Sequence, residues 1–473
     1  MKRLVVAVVA FCSLLGCSSS DSTPGGTSDG GAAAAGGGGA SAGGGRAGSS
    51  ASAGAASMGG TVGGAGVPGT AGAVGAAGAG AGSGGASGGA GGASGALIWP
   101  NDTSKANSDT WLSQHHDEIA QLRPKLLVID LENTANAQAL VDKHIAALKE
   151  ASSPHKFKDA TAEPTLAYEL VKIVQAPKGA GPGIDYASWN TQSFADSNLQ
   201  LKDPADPTGP NLTLCQAFEK GVIHEVWCMA SSDPKCGETQ EQKQVYDDNN
   251  VRMPGVFRNV SNGDSLEKLG CKVTARVTDF NSGRGVGCHQ HAMGHAWERY
   301  IEASAVPAMA KQGRRFLNFD LDTRVGAPFQ SFYDACNSNS TQLTDCITWS
   351  SEIHAASGPS ASRPFDLPDM SGGCGNAHFY PNTTGTYSYD ANTPDPMVLD
   401  SCENYGLHNG PGGKDLTTRF TNAMTDTYFK NIVDDDCGGH GTMYLYQNFP
   451  GPGTKATNDD GTPMHDWWVY LFY

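Results

Sequence analysis

The chain is poor in charge and has no Lys/Arg-rich run. Charged residues are 17% of its 473 positions, and the formal net charge is −16. Nucleic acid and anionic lipid headgroups need a basic patch, so neither is expected as a partner. Several catalytic signatures are missing. There is no C-x-x-C spacing for a thiolate zinc site and no H-E-x-x-H. The P-loop pattern is absent, and G-x-S-x-G does not occur beyond the N-terminal Gly/Ala/Ser tract. The turn Gly283-Arg284-Gly285-Val286-Gly287 is a poor match to a dinucleotide fingerprint.

The N-terminus carries an export pattern. Lys2 and Arg3 precede an apolar run from Leu4 to Leu15, too short for a membrane-spanning helix. It ends in Leu14-Leu15-Gly16-Cys17, which resembles the lipobox of bacterial lipoproteins. The resemblance implies a signal peptide over residues 1–16, acylation of Cys17, and, with Ser18 following, anchoring in outer-membrane lipid. Residues 17–95 are nearly all Gly, Ala and Ser. Such a tract has no apolar surface to offset its chain entropy and reads as a disordered tether reaching on the order of 50 Å. Residues 96–473 have a globular composition, with a candidate subdivision near 310.

Twelve cysteines occur. Setting aside Cys12 in the signal and Cys17, ten remain, an even number that predicts about five disulfides in an exported chain. Short separations favour Cys228–Cys236 and Cys336–Cys346. Strand signals fall at Lys125–Asp130, Leu166–Val174, Val222–Met229 and Lys272–Thr278, and helix signals at Ala135–Ala151 and Leu212–Lys220. This alternation predicts an α/β fold: a mainly parallel sheet flanked by helices, followed by an irregular, disulfide-rich C-terminal half. Asp415–Val433 reads as a further helix. The aromatic end Asp466–Tyr473 (DWWVYLFY) is expected to dock into the core.

The densest chemistry lies in VTDFNSGRGVGCHQHAMGHAWERYIEA, Val277 to Ala303. His291, His295 and Glu298 share one helical face there, with His289 just before it. The segments FEKGVIHEVW, VTDFNSGRGVGCHQHAMGHAWE, CGNAHFYPN and DWWVYLFY together resemble a set of secreted bacterial proteins of no established activity. That resemblance points to Glu225, Arg284, His295, Glu298, Asn376, His378 and Asn382.

His295, Glu298 and His378 are candidate ligands for zinc or another divalent metal; the pattern superficially resembles H-x-x-E plus a distant His in zinc carboxypeptidases. His295, Glu298, Arg284 and Glu225 are candidate catalytic residues, and Asn376, Asn382 and Asp279 candidate substrate contacts. In a parallel sheet, ligands bind beyond the carboxyl ends of the strands, where Asp279 would lie. Metal-assisted hydrolysis of peptide or glycan material is one reading. Metal-free glycan hydrolysis pairs Glu298 with Asp279 or Glu225. A non-catalytic glycan- or protein-binding surface protein is the alternative. A purely structural His295–Glu298 contact also fits the spacing.

Overall fold

The computed structural model describes residues 96–175, 186–231, 239–261, 270–320, 348–350, 355–357, 365–366, 373–377, 399–419 and 427–473. Leu97–Trp99 (β1) pairs in parallel with Ile119–Leu122 (β2), beside the short helix Thr110–Gln114 (α1). The main sheet has six strands. Lys125–Asp130 (β3) runs parallel between Glu169–Gln175 (β4) and Glu225–Ala230 (β5). Thr239–Tyr246 (β6) and Arg252–Asn259 (β7) form an antiparallel hairpin. Ala275–Asn281 (β8) pairs parallel with β5 and antiparallel with β6, giving the order β4-β3-β5-β8-β6-β7.

Continuous apolar strands need cover on both faces, and both are covered. On one side Val128, Trp227 and Phe280 pack with Val141 and Leu148 of Ala137–Ala151 (α2). On the other, Leu127, Ile129, Val226 and Val277 pack with Leu214 and Phe218. The latter two belong to Leu214–Glu219 (α5), which follows the short helices Tyr186–Trp189 (α3) and Gln192–Phe194 (α4). Thr213 opens α5 with a capping box through Gln216. Gly221 closes it at φ +62°, where an added Cβ would lie 2.1 Å from the Lys105 carbonyl.

The four predicted strands exist, but three begin about a turn later than their apolar runs suggest. Val222 and Ile223 bond back to Ala217, and the Asn107 amide donates to the His224 and Thr274 carbonyls at 2.8 and 2.9 Å. Side-chain and turn bonds replace strand pairing before β5 and β8, and Leu166 instead forms a single parallel bridge with Leu122. The predicted Asp415–Val433 helix is formed only in part over its described residues: Thr418–Arg419 is a strand, Thr427 and Tyr428 are helical, and Phe429–Asn431 is a 3-10 turn. The hairpin β6–β7 escapes a hydrophobicity reading because β6 is TQEQKQVY.

Val286–Ala303 (α6), Pro307–Phe316 (α7) and Gly439–Gln447 (α8) complete the first face. The terminal 3-10 helix Trp467–Phe472 is buried as its aromatic sequence predicts. Trp468 packs against Trp297, Tyr446 and Phe449 with ring centres 5.6–5.8 Å apart. Disulfides join Cys215–Cys271, Cys288–Cys437 and Cys374–Cys402, none of them a short-range pair. Cys228 is also disulfide-bonded; Cys236, Cys336 and Cys346 lie outside the described residues.

Candidate functional site

The helix carrying the histidines is fixed first at its N-terminus. Its opening amides need acceptors. Asp434 accepts from Val286 and Gly287 at 2.9 and 3.1 Å, and Asp436 accepts from Gly285 at 2.9 Å. The approach is close: a Cβ on Gly287 would lie 2.3 Å from the Asp436 carbonyl. Arg284 grips Asp436 through Nε at 3.0 Å and a terminal nitrogen at 2.7 Å. This bond holds the Asp436 carboxyl below the usual range. The structure thus gives Arg284, a candidate catalytic residue, a loop-closing partner in Asp436.

Cys288–Cys437 staples the same junction. The ligand atoms of Cys288, Asp436 and Cys437 lie within 4.8 Å of one another, a Cys/Asp/Cys cluster that could hold a metal ion. The sulfurs are bonded to each other, so this cluster gains thiolate ligands only when the disulfide is opened.

A helix advances about 100° per residue, so α6 has two different faces. Met293, Trp297 and Tyr300 lie on the sheet side, with Met293 over Thr278. His291, His295 and Glu298 lie on the opposite side. They are nevertheless enclosed: both histidines are 5% exposed. His295 Nδ1 is 2.7 Å from Glu298 Oε2, and His295 Nε2 is 3.0 Å from His291 Nε2. The Ala377 amide donates to the other Glu298 oxygen at 2.8 Å.

That amide belongs to a pinned loop. Cys374 is tied to Cys402, and its amide donates to the Phe316 carbonyl at 2.7 Å. The Asn376 side chain donates to the Leu317 carbonyl at 3.2 Å and is 3% exposed. Asn376, a candidate substrate contact, anchors the loop to the end of α7 through this bond. His378 and Asn382 lie outside the described residues.

Two other candidates fall elsewhere. Glu225 is fully buried under the sheet side of α6. It pairs with Arg276 and accepts from Tyr168 at 2.5 Å and Trp227 at 2.9 Å. Arg276 also donates to Tyr300, which donates to Glu241. Burial pushes Glu241 up to about 7 and Lys243 down to about 7. Lys243 Nζ caps the Tyr470 and Leu471 carbonyls at 2.5 and 3.2 Å. This network holds the C-terminal segment, so Glu225 is a structural ion-pair member here rather than a group facing the His295–Glu298 pair. Sequence reasoning missed Arg276, Glu241 and Lys243, since charge inside a strand reads as solvent exposure.

Asp279 lies between Thr278 and Phe280, which face α6, and so points to the opposite side of the sheet with Val277. Among the described residues, Asp279 therefore lies on the face of the sheet away from His295, and Glu225 lies beneath the opposite side of α6 from it. His289 also turns inward. Its Nδ1 lies 2.9 Å from His144 Nδ1, its ring is 4.5 Å from Trp227, and burial pushes it down to about 4.

Of the sequence candidates, the structure brings together His295, Glu298 and the backbone beside Asn376, and adds His291. No protein-family model matches this chain. A search of curated proteins finds none significantly similar to it.

Proposed function

We propose that the chain is an outer-membrane lipoprotein, anchored through acylated Cys17, whose globular part hydrolyses peptide or glycan material. The reactive centre in this reading is the outer face of α6. One observation carries it: His295 is bonded at Nδ1 to a carboxylate that is itself fixed by the Ala377 amide. A carboxylate on Nδ1 sets the tautomer and leaves Nε2 as the proton-handling nitrogen, the arrangement general acid–base catalysis requires. His291 continues the path, since one proton between the two Nε2 atoms satisfies both rings. The long Gly/Ala/Ser tract suits such an enzyme by letting an anchored domain reach envelope substrates.

Incubating full-length protein with purified peptidoglycan, and separately with denatured casein, tests the activity. Soluble fragments should appear from one of the two. His295→Ala should slow their release by about 10²–10⁴-fold, the usual contribution of a positioned acid or base. No release by the parent from either material removes the hydrolase reading.

A further inference from the structure

We infer that His291 and His295 form a divalent-cation site through their Nε2 atoms, with Glu298 orienting His295 rather than ligating. The spacing on α6 is i and i+4, which stacks two imidazoles on one helical face. Their Nε2 atoms lie 3.0 Å apart, with ring centres 4.7 Å apart. Two nitrogens each about 2.0–2.1 Å from one ion and 3.0 Å apart subtend about 95° at it. That is close to the right angle between neighbouring ligands of a tetragonal or octahedral ion such as Ni²⁺, and a small side-chain relaxation opens it for Zn²⁺.

Glu298 sits on the wrong side of the ring to share that ion. Its Oε2 meets His295 at Nδ1, across the imidazole from Nε2, and its Oε1 accepts from the Ala377 amide. A carboxylate on the far nitrogen of a ligating histidine is the usual outer support of such a ligand; it fixes the tautomer and raises basicity. The ligand set expected from H-x-x-E spacing, with Glu298 on the ion, is thereby replaced by H-x-x-x-H. Among the described residues no group of three His, Cys, Asp or Glu donors includes this pair.

The inference concerns the same two nitrogens as the hydrolase reading. An Nε2 lone pair that holds an ion cannot also take a proton, so proton transfer by His295 belongs to the metal-free protein. Binding alone tests this inference, so the two can fail separately. Full-length protein without a histidine tag, kept unreduced so that Cys288–Cys437 stays closed, is titrated with NiCl₂ and with ZnCl₂ by calorimetry. One equivalent should bind and disappear in a His291→Gln, His295→Gln double variant whose far-UV spectrum and melting temperature match the parent's. Glu298→Gln should keep the stoichiometry and weaken affinity about 10–100-fold, as loss of an outer support does. If the parent and double variant take up equal metal, only a proton bridges the rings and the inference is wrong. Loss of the whole equivalent in Glu298→Gln would make Glu298 a ligand and also overturn it. Metal uptake without release of fragments would remove the hydrolase and leave this site standing.

Discussion

Four interior histidines set how the protein responds to acid. His116, His144, His224 and His289 are each at most 3% exposed. Burial pushes His116 and His224 down to about 3, His289 to about 4, and His144 well below its ordinary value. Two carboxyls oppose them: burial pushes Asp466 up to about 8 and Glu241 up to about 7. Between about pH 4.5 and 6.5 the unfolded chain protonates four histidines that the folded chain keeps neutral. Over the same window the folded chain keeps two carboxyls protonated that the unfolded chain ionises. Four less two leaves about two extra protons on the unfolded state, so stability falls as pH falls, by about 1.4 kcal/mol per pH unit for each. The melting temperature should drop steadily from pH 6.5 to 4.5; a flat or rising profile would contradict this assignment. The Glu225–Arg276 pair is equally exacting. Arg276→Ala should cost about 3–5 kcal/mol in urea unfolding, because Glu225 would be left charged and buried. Glu225 stood out in the sequence only as part of EVW. Its partner did not, because ion pairing 51 residues away has no local signature.

Elements were legible where one period dominates. β3 is an unbroken apolar run, and α2 repeats its buried residues at 137, 141, 144, 148 and 151. β6 was not, because Glu241, Gln242, Lys243 and Gln244 are buried with specific partners rather than apolar neighbours. α6 was placed correctly, but its use was not. Periodicity shows which residues share a face and is silent on which face meets the sheet. That decision put Glu225 and His289 under the helix and His295 outside it. The start of α6 depends on acceptors about 150 residues away. Asp434→Ala removes two of them and should cost about 1 kcal/mol, as loss of a cap does. Opening Cys288–Cys437 by double serine substitution should cost about 2–5 kcal/mol. Chemical denaturation of both variants checks the order; a staple loss that costs no more than Asp434→Ala would contradict it.

At the scale of the molecule, the chain end is part of the core. The backbone carbonyls of Tyr470, Leu471 and Phe472 are held by Lys243 and the Ser108 amide, and Trp468 is 1% exposed. Trp468→Ala should cost about 3–5 kcal/mol by leaving a cavity between α6 and α8. The proposed membrane attachment belongs to this scale too: Cys17→Ala should abolish labelling by a palmitate analogue, and equal labelling would refute acylation there. The proposed site centres on the His295 imidazole held by the Glu298 carboxylate on the outer face of α6, and nitrogen NMR of His295 reads that bond directly. In metal-free protein near pH 7, His295 should carry its proton on Nδ1, and Glu298→Gln should redistribute it between the two ring nitrogens. A proton fixed on Nε2 with bare Nδ1, unchanged by Glu298→Gln, would contradict a His295 oriented by Glu298.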